Sequence, residues 1–112
     1  MAKPNKHGVY EPEHTEEIAR VKRSFASVDL AQCDDGLWRF SIDISWSVGG
    51  ICGPITKRDP GHPSPELALG AGIEHLLERF PTAWASEAES IKAELASLRA
   101  QVVSRVQQPR LL

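Results

Sequence analysis

The residues able to do chemistry are few and lie far apart in the chain. Cys52 sits in a glycine-rich bend, Gly49-Gly50-Ile51-Cys52-Gly53-Pro54, and with His62 or His75 it is the one pairing of a nucleophile with a base. No local signature surrounds it, and a small thiol in a strand is ordinarily a packing residue. A metal centre needs three or four ligands at clustered spacings such as Cys-x-x-Cys or His-Glu-x-x-His. Cys33, Cys52, His62 and His75 are scattered, and Glu74-His75 stands alone. The glycines of the bend precede neither Gly-Lys-Ser/Thr nor a helix, so they fail as a phosphate loop and read instead as a bulge between strands. The sequence therefore points to no catalytic residue, cofactor or metal, and the protein is expected not to be an enzyme.

Binding is the remaining chemistry. Arg20, Lys22 and Arg23, with Arg39 across a hairpin, form a candidate basic patch for nucleic acid, although Arg39 can instead pair diagonally with Asp29. Phe25 is the only aromatic residue interleaved with them, so the stacking platform of a single-strand binder is missing. Thirteen basic against fifteen acidic residues, net −2, argue against a chain held chiefly by phosphate contacts. The 112 residues suffice for one domain and one core, with 41% apolar and 25% charged residues typical of a globular chain. There is no apolar run of membrane-spanning length and no secretory segment at the N-terminus. Two cysteines are too few for a disulfide framework, and the expected location is the cytoplasm.

A sheet must position these residues. From Trp38 to Val48 the even positions are large and apolar (Trp38, Phe40, Ile42, Ile44, Trp46, Val48), and the odd ones are polar (Arg39, Ser41, Asp43, Ser45, Ser47). A period of two marks a strand with one dry and one wet face. Asp34-Asp35-Gly36 suits a three-residue hairpin loop with glycine last, where φ is positive. That loop sets Leu30 opposite Phe40, Val28 opposite Ile42 and Ala26 opposite Ile44, so turn and pattern agree on one register. Residues 15–21 are ambiguous: Ile18, Val21, Phe25 and Val28 recur at helical spacing, while Ser24 to Leu30 alternate. A short helix over 15–20 followed by a strand from about 22 reconciles them. Ile51 to Thr56 reads as a third, short edge strand because Pro54 lacks an N–H.

Ser64-Pro65-Glu66 opens a helix with a cap, a proline at the first position and an acid in the first turn. Its apolar stripe is Leu69, Ile73, Leu76, Leu77 and Phe80, and Gly70 and Gly72 suit close packing on the sheet. A second helix is expected from about Thr82 to Gln108, before Pro109. Trp84, Ala88, Ile91, Leu95, Leu98 and Val102 form a heptad seam along it. At roughly 40 Å it is longer than the sheet needs. The excess predicts a homodimer through Ile91, Leu95, Leu98 and Val102, unless the helix folds back on the first one.

The hairpin Asp35-Gly36-Leu37-Trp38 followed by the helix start Ser64 to Leu69 resembles HicB-type antitoxins over less than half the chain. The loop here is longer, and a long helix stands where that family has a final strand and DNA-binding tail. No functional residue carries over.

The expected fold is α+β: a flexible arm over 1–14, then one domain over 15–112. Its three-stranded antiparallel sheet (about 22–56) is packed by a helix (about 64–80) and followed by a long helix (about 82–108). The expected function is non-enzymatic, that of an inhibitor, antitoxin or adaptor of phage or plasmid type that occludes the surface of another protein. The sheet face Arg39, Ser41, Asp43, Ser45 and Ser47 would carry the contact. The alternative is a homodimeric nucleic-acid-binding regulator using Arg20, Lys22 and Arg23.

Overall fold

The computed structural model describes residues 3–107. The chain is α+β, in the order β1 (His14–Val21), β2 (Ser24–Gln32), β3 (Trp38–Trp46), β4 (Gly49–Cys52), α1 (Pro65–Glu78) and α2 (Glu89–Gln107). The strands form one antiparallel sheet in sequence order, four strands rather than the expected three.

The hairpin from β2 to β3 has the register demanded by turn and pattern: Leu30 pairs with Phe40, Val28 with Ile42 and Ala26 with Ile44. Gly36 takes φ 84° at the last loop position, the left-handed region open to glycine at no steric cost. Ile42 and Ile44 are 7% and 0% exposed, so the even face of β3 is the dry one.

The helix expected over 15–20 is replaced by β1, and the reason is a bulge. The pairing of β1 with β2 shifts between Glu17 and Ala19, which lets Ile18 and Ala19 both be buried. A two-residue turn, Lys22-Arg23, then reverses the chain, with Lys22 at φ 56°. One extra residue and one reversal space the buried side chains like a helix without making one. The free edge of β1 is capped by a side chain: Gln101 of α2 accepts from the Arg20 N–H at 2.9 Å and donates to the Arg20 carbonyl at 3.0 Å.

Both helices lie on the dry face. Ser64 caps α1, its hydroxyl accepting from the Leu67 N–H at 3.2 Å, and Pro65 takes the first turn. The helix ends at Glu78, two residues before the expected limit, with the irregular Arg79 as its cap. Ile73 and Leu76 of its stripe are buried, while Leu69, Leu77 and Phe80 pack at the margin. Gly72 is where α1 meets the sheet: an added Cβ would stand 2.6 Å from Val28 Cγ1 and 3.3 Å from Phe40 Cδ1.

α2 starts at Glu89 rather than Thr82. The Glu87 N–H closes a turn on Trp84, and the Ala88 carbonyl then accepts from Ile91 and Lys92 to open the helix. Trp84 is left 75% exposed, outside any seam. Nineteen described residues span about 28 Å at 1.5 Å each, against the roughly 40 Å expected from a start at Thr82. Leu95, Leu98 and Val102 are 5%, 0% and 0% exposed, enclosed by their own chain, the last two in the main core. Ile91 is half-buried near Trp46 and Val48. The expected end of this helix at 108, before Pro109, lies outside the described residues.

Glu94 ties α2 to the sheet's end. Its carboxylate accepts from the Ser24 hydroxyl, and from the Ser47 N–H and hydroxyl at 3.0 and 2.7 Å. These bonds, Ser24's first, hold its pKa below the ordinary 4.5. A carboxylate depressed in the fold adds stability above its unfolded pKa and loses it as pH falls through the folded one. Glu94→Gln is expected to lower Tm at pH 7, and the gap should close under acid below the ordinary glutamate range. A pH series of thermal melts checks this; a gap that stays constant into acid would reject it.

Candidate functional site

The odd face of the sheet, away from the helices, is divided in two. Its end nearest the β2–β3 turn is covered. Tyr10 and Ile55, bridged to each other, bury Ala31 and Cys33 in a small second core. Tyr10 is 2% exposed and donates its hydroxyl to Asp34 at 2.7 Å, and Lys57 pairs with the same carboxylate at 2.6 Å. Burial, then the Asp34 bond, pushes the Tyr10 phenol up, while Lys57 and Tyr10 hold Asp34 down.

Arg39 belongs to this covered end and is 6% exposed. Its guanidinium donates to the Asp59 carbonyl at 2.8 Å and to the Asp35 carboxylate at 3.0 Å; the Asp35 bond raises its pKa despite burial. It therefore offers no charge to a partner, and its ion-pair partner is Asp35 rather than Asp29.

The rest of the face lies outside that second core and forms three cross-strand rows, in which Ser27 and Ser41 are 4% and 8% exposed. Thr15, Asp29 and Ser41 make the first; Glu17, Ser27, Asp43 and Cys52 the second; Arg20, Phe25, Ser45 and Gly50 the third. In the first row Asp29 accepts from Thr15 at 2.5 Å and from Ser41 at 3.5 Å. Asp43 stands on the diagonal from Asp29, and neither is in an ion pair among the described residues. Partial burial first, and the Asp29 charge second, push the Asp43 pKa up. Two carboxylates without a cation between them make this patch electrostatically incomplete.

Of the five predicted face residues, Asp43 and Ser45 are half-buried on the open face. Ser41 is 8% exposed and engaged with Asp29. Ser47 has left the strand for the β3–β4 turn, where Glu94 holds it. The basic residues do not assemble either. Arg20 is paired with Glu17 at 2.6 Å and stacks over Phe25 at 5.5 Å. Lys22 and Arg23 lie in the β1–β2 turn beside an open recess of about 490 Å³ that Glu94 also lines, while Arg39 is buried at the other end of the sheet.

Cys52 is exposed and lines the same cleft as His75, with no hydrogen bond joining them among the described residues. His62 is fixed by backbone bonds to Trp38. Among the described residues no three His, Cys, Asp or Glu side chains group to hold a metal ion. No helix of the described chain is long and apolar enough to cross a membrane.

Sequence reasoning assigned no role to Tyr10 or Glu94 and read Asp29 only as a possible partner of Arg39. Asp29 was legible from the register, which placed it beside Ser41 and diagonal to Asp43. Tyr10 and Glu94 act through contacts more than 20 residues away and left no local signal.

Comparison with protein-family models, curated proteins and solved structures gives no match of sequence or fold. The likeness to HicB-type antitoxins gains no support from them.

Proposed function

We propose that the protein is a non-enzymatic accessory factor of the inhibitor, antitoxin or adaptor kind that occludes a partner protein through the open half of its sheet. The observation that carries this is the diagonal of Asp29 and Asp43, in no ion pair among the described residues, beside the exposed Thr15 and the half-buried Ser45. A lysine or arginine from the partner would complete it, relieving carboxylate repulsion. The nucleic-acid reading keeps only Lys22 and Arg23, and a salt-steep affinity for random DNA would be its signature.

The test is affinity capture from the native host with the wild type, Asp43→Arg and Ser45→Arg. A specific partner held by the wild type and lost by both variants, at unchanged Tm, is the expected result. Capture that survives both substitutions would reject this face as the contact.

A further inference from the structure

β4 leaves the edge of β3 unfinished. Its pairing runs from Trp46 with Gly49 to Asp43 with Cys52. Continued in register, it would put Pro54 opposite Ser41 and Ile55 opposite Phe40. Pro54 is no obstacle, because alternate residues turn their polar groups to the same edge and its missing N–H would face away from β3. What diverts the chain is Tyr10, whose N–H donates to the Ile55 carbonyl at 2.9 Å and holds Ile55 on the outer face, 1% exposed. The chain rejoins β3 only at Trp38, through two bonds of 2.7 and 2.8 Å with His62. Between these points the N–H and C=O of Phe40 and the N–H of Ile42 face the vacant edge, without a hydrogen-bond partner among the described residues. A cavity of about 330 Å³ opens over them, lined by Cys52, Pro54, Asp59, His75 and Arg79 among others.

We propose that this slot receives the carboxyl-terminal end of a partner polypeptide as a short added strand. The donor and acceptor of Phe40 are placed for one residue of an antiparallel neighbour, the chemistry of strand addition. Cys52 pairs with Asp43 and His62 with Trp38 on either side, so the gap is long enough for the end of a chain but not for a strand that runs on. Arg79 is exposed at the end of α1 and in no ion pair among the described residues. It supplies the cation for a terminal carboxylate, with the Phe40 N–H as a further donor. Asp59 on the same cavity disfavours a second acid in the ligand. The inference rests on the protein-binding reading above and adds the chemistry of the bound segment.

The test is an amide-resolved NMR titration of the full ¹⁵N-labelled chain with N-acetylated tetrapeptide pools, randomised at the last three positions, as free acids and as amides. The Phe40 and Ile42 signals are expected to move and their exchange with solvent to slow. The acids should bind about tenfold tighter than the amides, a ratio that Arg79→Gln largely removes without altering the fold. Unmoved Phe40 and Ile42 signals would overturn the proposal, as would equal binding of acid and amide. Shifts confined to Asp43 and Ser45 would overturn the slot while leaving the open face as the contact. Loss of the captured partner in Asp43→Arg but not in Arg79→Gln separates the two surfaces in the same way.

Discussion

Leu98→Glu is expected to unfold the chain rather than to dissociate a dimer. Leu98 is 0% exposed, in the core that both helices share with the sheet. Truncation to alanine alone should cost about 2–5 kcal/mol through lost burial and the cavity left behind. Glutamate adds a charge with no partner in that space, against a total stability on the order of 5–15 kcal/mol for a domain of this size. Urea unfolding followed by circular dichroism should give a midpoint near zero denaturant for Leu98→Glu and a clear loss for Leu98→Ala. If Leu98→Glu stayed folded with an unshifted midpoint, while light scattering recorded a halved mass, the residue would belong to a contact between chains after all.

Gly72→Val should also destabilise the fold, less severely and by the opposite route. The added Cβ meets Val28 at 2.6 and 3.2 Å and Phe40 at 3.3 Å, and valine puts two more carbons into that contact. Val28 is fully buried on the central hairpin, so it has no free volume to retreat into. Overpacking of this sort costs about 1–3 kcal/mol, and the better helix propensity of valine recovers only a few tenths. Gly53→Ala is the control: nothing lies within 4 Å of its added Cβ, and the change should be close to neutral. Equal unfolding midpoints for the two variants would mean that α1 does not approach the sheet as closely as described.

The central hairpin was legible because two independent signals agreed on it. Alternation from Trp38 to Trp46 chose the buried face, and the loop ending in Gly36 chose the register. β1 was not legible because its bulge at Glu17 and Ala19 shifts the phase of the pattern, and periodicity cannot tell a shifted strand from a helix. The start of α2 was misplaced for a related reason. Trp84 and Ala88 fit a heptad by spacing, but spacing carries no information on whether the backbone between them is helical.

The open face was only half legible. Asp43 and Ser45 follow from alternation alone. Arg39 follows the same rule, yet it is buried, because the loop carrying Asp59 and Gly61 closes over its guanidinium. A second layer laid down by a segment of irregular structure has no periodicity to announce it.

The amide of Gln101 lying along Arg20 bears on how the protein behaves when crowded with its own kind. β1 is the outermost strand on its side, and an outer strand with bare peptide groups is a template on which a neighbour can add to a growing ribbon. A carboxamide carries the same donor and acceptor as a peptide bond, so Gln101 imitates the next strand at that point while having no chain to continue it. The kink at Glu17 and Ala19 twists the same border further out of line. Gln101→Ala is therefore expected to raise the tendency of this edge to pair with another copy at high concentration, which light scattering would register.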